Sequence, residues 1–271
     1  MLGKLMKYEI KATSRMFLPL YGALIVLALI NKVFFSFGIF NSIDHALLSR
    51  FSDIPKTLAL TAYIFIIIAI FIITVIVMFQ RFYKNLLGDE GYLMFTLPVK
   101  PWMNIVNKLV VSVMWVILSS VITLISIFIL MVNGDLIRAI PEAIVMTVRA
   151  LNTELGVNAG LFLTEMAITI FVGLFVNILQ VYAAIALGQL CNSHKLLASF
   201  GAYLGINIVS QTVASVFMVL SMMINPTWMN TVSPGYMMNL FLIGGTILNL
   251  IFGAAFYFIT HFILTKKLNL E

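Results

Sequence analysis

Cysteine and charge are the scarce commodities in this sequence. Cys191 is the sole cysteine, which excludes an intrachain disulfide framework, and a lone thiol reads as a small buried apolar side chain. Charged residues make up 10% of the 271 positions and hydrophobic ones 62%. A soluble domain carries about 25% charged and roughly 45–50% apolar residues. A soluble globular fold is therefore excluded, and the mean hydropathy of +1.10 calls for an integral membrane protein. The motifs of nucleotide and hydrolytic chemistry are missing too. No G-x-x-x-x-G-K-[ST], G-x-S-x-G or H-E-x-x-H occurs, so nothing here cradles a phosphate or builds a hydrolase site by those routes. His45, His194 and His261 stand far apart without ligand-spaced partners, and read as loop or interfacial histidines, not metal ligands.

The apolar runs are far longer than the ~10-residue alternating segments of a membrane barrel, so the spans are helical. They fall at about 16–37, 58–79, 109–132, 161–187, 196–224 and 240–264. The expected fold is an all-α integral membrane protein with six transmembrane helices, and residues 1–271 form a single transmembrane domain. The basic N-terminus followed by an apolar run resembles a signal peptide, but the run is too long and no small-residue cleavage site follows; it reads as a retained first span.

Net charge is +6 with a pI near 9.4. The basic residues sit at span ends, with no basic patch interleaved with aromatics, so they orient the chain in a membrane and do not mark a nucleic-acid surface. With both ends inside, the inner segments hold Lys4, Lys7, Lys11, Arg15, Arg81, Lys84, Lys100, Lys108, Lys195, Lys266 and Lys267. The outer segments hold Lys32, Arg50, Lys56, Arg138 and Arg149. Both termini are therefore expected on the cytoplasmic side.

Two flanking pieces are amphipathic. Residues 1–15 place Leu2, Leu5, Met6 and Ile10 on one helical face among four basic residues, as an amphipathic helix on the inner leaflet or a basic flank orienting the first span; the two are compatible. In the outer segment 133–160, Pro141-Glu142 is expected to open a helix running to about Leu151, because proline suits the first helical position. Its Ile140, Ile144, Val145 and Val148 are suited to the outer leaflet surface.

The long polar island of the first half is 81–108, RFYKNLLGDEGYLMFTLPVKPWMNIVNK. Asn85 to Phe95 suits a short helix, Thr96-Leu97-Pro98 breaks it, and Pro101-Trp102 restarts a helix leading into span 3. A helix-turn unit of this kind suits docking into a groove of a partner. The aromatic segment Phe79, Phe82, Tyr83, then Asp89-Glu90-Gly91-Tyr92-Leu93, then Thr96-Leu97-Pro98-Val99 and Lys108 resembles the first intracellular loop of type 2 export permeases of the ATP-binding-cassette transporter family, of the Gram-positive bacterial type. Lys7-Tyr8-Glu9-Ile10-Lys11 followed by Arg15 is similar to that family as well. The hydrophobic layout fits along the whole chain, while the motif covers roughly a tenth of it.

The resemblance implies two six-helix permease subunits, identical or different, in a bacterial plasma membrane. Each docks on a separate ATPase subunit through a coupling helix between spans 2 and 3, here within Lys84 to Leu97. ATP and Mg then belong to the partner, this chain carries no cofactor and is not itself an enzyme, and ATP-driven closure of the ATPases moves a substrate outward. The docking residues so implied are Arg81, Lys84, Asp89, Glu90, Gly91, Tyr92 and Leu93, with the acidic pair meeting basic residues of the ATPase and Tyr92 and Leu93 filling its groove.

Polar residues inside spans are costly and face a partner or a cavity. Glu165, Thr169, Gly173, Asn177, Gln180 and Ala184 are expected to share one face of span 4 by i, i+4 spacing, and Tyr203, Asn207 and Gln211 one face of span 5, with Ser210 alongside. Ser112, Ser119, Thr123 and Ser126 in span 3, and Thr246, Asn249, Gly253 and Thr260 in span 6, read as interhelical hydrogen bonding and close packing. The expected substrate path is Glu165, Asn177, Tyr203, Asn207 and Gln211; for Asn207 and Gln211 the resemblance adds that members of that family line the dimer seam with spans 2 and 5, and span 2 here offers mainly Ile and Phe. One oily and one amide-bearing wall suits a hydrophobic or amphiphilic cargo: a peptide antibiotic, a drug or a lipid-like molecule. Two other readings stand beside this one: an ion-coupled secondary transporter using Glu165 as a proton site, and a non-transporting sensor or scaffold of a resistance complex.

Overall fold

The computed structural model describes residues 2–37, 46–84, 100–191, 194–224 and 234–267. Seven helices and no strand occur among them: α1 (Leu2–Phe37), α2 (Ala46–Phe82), α3 (Pro101–Met131), α4 (Gly134–Thr153), α5 (Ala159–Gly188), α6 (Lys195–Ile224) and α7 (Pro234–Lys266). All except α4 contain a stretch long and apolar enough to cross a bilayer, six in total. Six such helices mark a multi-pass membrane protein.

The helices overrun the boundaries read from hydropathy. Residues 2–15 are not a separate helix: α1 runs unbroken for 36 residues, through Pro19. At 1.5 Å per residue it is about 54 Å long, well beyond a ~30 Å hydrocarbon core, so polarity changes along one continuous rod. Lys4, Lys7, Lys11 and Arg15 are exposed, while Met6 and Ile10 pack on the core. α2 begins at Ala46, inside what hydropathy marks as a polar connection, whereas α3 begins at Pro101, the residue expected to restart a helix leading into span 3. Pro141 does not open α4 but lies within it. The start is set upstream by Asn133, whose Oδ1 accepts the Leu136 N–H at 2.8 Å, with Asp135 in the first turn. Both features favour a helix N-terminus.

The chain divides into two compact units, residues 1–78 with 110–140, and 79–109 with 141–271. In the first, α1 contributes Phe17, Tyr21, Leu24 and Ala28, α2 contributes Tyr63, Ile70 and Val77, and α3 contributes Val111 and Trp115 to one buried core. The spacings 63/70/77 on α2 and 112/119/126 on α3 keep one stripe of each helix on the seam, as heptad packing requires. Phe17 stacks on Trp115 with centroids 4.4 Å apart and planes 14° from parallel.

Polar rungs cross this apolar seam. Trp115 Nε1 donates to Thr13 Oγ1 at 2.8 Å. The Tyr21 hydroxyl and Ser119 Oγ share a hydrogen bond of 2.7 Å, and Thr74 Oγ1 lies 3.3 Å from Ser119 Oγ. Tyr63 and Ser126 hydroxyls meet at 2.9 Å, and Asn31 Nδ2 donates to the Ala59 carbonyl at 3.0 Å. Lys32 Nζ donates to the carbonyls of Leu130 and Val132, placing a cation on the C-terminal end of α3, where the helix dipole favours it. In lipid these bonds cannot be exchanged for water, so they specify which helix faces pair.

In the second unit α5 packs along α7 and against α6. Asn158 caps α5, its Oδ1 accepting from the N–H groups of Gly160 and Leu161 at 3.0 and 3.3 Å. Burial of nearly every residue from Val176 to Gly188 makes the second half of α5 the centre of this unit. Its Ala183, Ala184, Ala186 and Gly188 let backbones approach: a Cβ on Gly188 would stand 2.6 Å from Ser199 Cα, and one on Gly253 would be 3.0 Å from Val176 Cγ2. Thr169 and Thr246 hydroxyls bond across α5 and α7 at 2.7 Å.

Candidate functional site

Arg81 at the end of α2 and Lys84 just beyond it are the basic residues expected to hold a partner. Arg81 is half-buried, and Lys84 and Lys100 are exposed. Between Arg81 and Lys84, Phe82 turns inward, fully buried, and stacks on Tyr182 of α5 with centroids 4.0 Å apart and planes 10° from parallel. Phe79 and Tyr83 stack one turn apart at 5.8 Å. Phe82 thus holds the end of α2 against the central helix of the second unit. α3 adds Asn104, Ile105, Asn107 and Lys108, all at most 3% exposed. Burying two amides and a lysine side by side is costly unless each is paired. Asn104 Nδ2 and Asn107 Oδ1 have no hydrogen-bond partner among the described residues. The sequence marked Lys108 as an inner-side cation and as the end of the loop pattern, but gave no sign that Asn104 and Asn107 are buried beside it. Asp89, Glu90, Gly91, Tyr92 and Leu93 lie outside the described residues.

The expected substrate-path residues do not form one wall. Asn207 and Gln211 do come together: Gln211 Nε2 donates to Asn207 Oδ1 at 2.6 Å. Asn207 and Tyr203 are half-buried, and Gln211 is exposed. Asn177 is exposed, and its Nδ2 donates back to the Gly173 carbonyl of its own helix at 2.8 Å. Gln180, one turn further on, is buried. The span 4 stripe fails as one face because each i+4 step overshoots a turn by about 40°, so Asn177 lies a third of a turn from Glu165. Glu165 is half-buried near the start of α5, and its Oε2 has no hydrogen-bond partner among the described residues.

A groove that the sequence reading did not single out runs between α2 and α3 in the first unit. It encloses about 420 Å³ between apolar walls that include Phe71, Val75, Met78 and Leu124, and Thr74, Ser119, Ser120 and Thr123 place hydroxyls on it. That volume suits an acyl chain or a comparable apolar group. The visible signal was the serine spacing 112/119/126 with Ser120 and Thr123 beside it.

Cys191 corrects the expectation of a buried thiol: it is exposed, because it follows the end of α5 in the turn before α6. His194, three residues on, takes a left-handed φ of 54°. Among the described residues no three His, Cys, Asp or Glu side chains gather to hold a metal.

Comparison with family models, with curated proteins and with solved structures returns no match to this chain. The class that the fold defines is a helical multi-pass membrane protein with six candidate spans.

Proposed function

We propose that the chain is the membrane-spanning permease subunit of an ATP-binding-cassette exporter in a bacterial plasma membrane. In this reading a separate ATPase docks on residues 81–108 and supplies ATP and Mg, and a second permease subunit, the same or different, completes the path. The cargo is hydrophobic or amphiphilic, of the peptide-antibiotic, drug or lipid-like kind. The observation that carries the reading is the run Asp89-Glu90-Gly91-Tyr92-Leu93 followed by Thr96-Leu97-Pro98, set between two apolar helices. Its support from the fold is indirect: α2 and α3 flank that run, and Phe82 at the end of α2 is packed on Tyr182 of α5. The amides of half-buried Asn207 and exposed Gln211 within a candidate span favour a protein or substrate neighbour over lipid tails.

The deciding experiment is co-purification of the tagged chain with the ATPase of its own operon. The double variant Asp89→Lys with Glu90→Lys is expected to lose that partner while still inserting in the membrane. Undiminished co-purification of the double variant, or no ATPase recovered with the parent chain, refutes docking through this loop. Tyr92→Cys labelled by a membrane-impermeant thiol reagent on intact cells would place the loop on the wrong side.

A second reading draws on the partnerless Oε2 of Glu165. A half-buried carboxyl with an unsatisfied oxygen suits a proton site, and an ion-coupled transporter would use it so. Transport abolished by Glu165→Gln and by collapse of the proton gradient, yet indifferent to ATP depletion, selects that reading.

A further inference from the structure

α4 has no buried residue. Ile137, Ile140, Ile144, Val148 and Leu151 recur at helical spacing and form one apolar stripe, with Ile137 56% and Ile144 59% exposed. The charges, Asp135, Arg138, Glu142 and Arg149, fall on the opposite side. An uncovered stripe of this size needs an apolar neighbour, and the way the helix is tethered says which one.

Both ends of α4 are held to membrane-spanning helices by short connections. Two residues separate it from α3 and five from α5. At its end, Asn152 Oδ1 accepts the Ala159 N–H, the first of α5, at 2.9 Å. The connection beyond it is fastened in turn: the Leu155 carbonyl accepts the N–H of Gly235, at the start of α7, at 3.0 Å. The end of α4 therefore stays at the membrane face where α5 and α7 begin. Four charges along a helix about 30 Å long keep it from crossing the hydrocarbon. The apolar medium available beside that face to cover the stripe is the lipid surface.

We propose that α4 is an interfacial helix, lying in the headgroup–acyl boundary with Ile137, Ile140, Ile144, Val148 and Leu151 in lipid, and that it is anchored by apolar contact without preference for headgroup charge. The second half of the proposal follows from its charge: two acidic and two basic residues cancel, so no net attraction to anionic lipid adds to the apolar term. α1 makes the contrast, because Lys4, Lys7, Lys11 and Arg15 leave its first turns strongly cationic. The proposal goes beyond the exporter reading and holds or fails independently of it.

The test uses the full chain with Cys191→Ser, reconstituted in vesicles of phosphatidylcholine alone or mixed with phosphatidylglycerol. Single cysteines at Ile144 and Val148 on the stripe, and at Glu142 and Arg149 opposite, carry an environment-sensitive fluorophore. Quenching comes from lipids bearing a nitroxide on the upper acyl chain. Stripe labels are expected to be quenched at least about twofold more than opposite-face labels, equally in both vesicle types, as an amphipathic helix sunk 5–10 Å requires. Equal quenching on the two faces refutes insertion. Quenching that appears only with phosphatidylglycerol refutes the charge-independent anchor. Stripe labels shielded from lipid nitroxides, with Ile144→Cys forming disulfides between copies, would show that a second chain covers the stripe instead.

Discussion

Ser119→Ala probes the point where three helices of the first unit meet. Ser119 Oγ lies 2.7 Å from the Tyr21 hydroxyl of α1 and 3.3 Å from Thr74 Oγ1 of α2. Thr74 keeps a partner when Ser119 is truncated, because its hydroxyl also donates to the Ile70 carbonyl at 2.7 Å. Tyr21 does not: it is 3% exposed, and no other hydrogen bond holds its hydroxyl among the described residues. Leaving a buried hydroxyl unsatisfied costs about 1–3 kcal/mol. Tyr21→Phe removes the same bond together with the group that needs it, and is expected to cost less, about 0.5–1.5 kcal/mol. The double variant should then be little worse than Tyr21→Phe alone. The coupling energy across the cycle is then nearly the whole cost of Ser119→Ala, about 1–3 kcal/mol, its lower part overlapping the upper reach of about 1.7 kcal/mol for interhelical hydrogen bonds in a bilayer. Reversible unfolding of the four proteins in bicelles on SDS addition, followed by far-ultraviolet circular dichroism, supplies the numbers. Strict additivity, or Tyr21→Phe costing more than Ser119→Ala, would refute the claim that this rung holds the three helices in register.

Three further outcomes follow from the same geometry. Gly188→Ala drives a Cβ to within 2.6 Å of Ser199 Cα; backbone must shift, and a loss of about 1–3 kcal/mol is expected in the same unfolding assay, against little change for Gly173→Ala, where the space is open. Lys32→Met keeps the apolar stem but removes the donor to the Leu130 and Val132 carbonyls, and should cost up to about 2 kcal/mol; Lys32→Arg should restore most of it if the charge at the helix end is what matters. Asn207→Ala with Gln211→Ala should leave stability within about 0.5 kcal/mol, since the pair is largely uncovered, while export or drug resistance falls; unchanged transport at normal expression would remove these amides from the substrate path.

Hydropathy was enough to count the spans, because exclusion of water from a bilayer leaves a chain this apolar only helices long enough to satisfy every backbone group internally. It was poor at their ends. α1 continues back through its basic residues to Leu2, and α2 back to Ala46, since helical hydrogen bonding does not stop where polarity changes. The cap that starts α4 at Asn133 is a side-chain contact that no hydropathy window reports. Within the spans, the 112/119/126 spacing on α3 marked the interhelical face correctly, because a seven-residue step returns near the same azimuth. The four-residue steps from Glu165 to Asn177 misled, because they wind away from it.

The amino-acid sequence alone therefore determined the helical membrane class and the six candidate spans found among the described residues, through the cost of unpaired backbone and buried charge in hydrocarbon. Tertiary structure alone decided which polar groups meet across helices: Tyr21 with Ser119 and Thr169 with Thr246, whereas Asn207 with Gln211 is a contact within one helix that their four-residue spacing already implied. The physical reason is that span membership depends on composition summed over twenty residues, whereas a hydrogen bond depends on the rotation of one helix about its axis relative to another, which no single segment encodes.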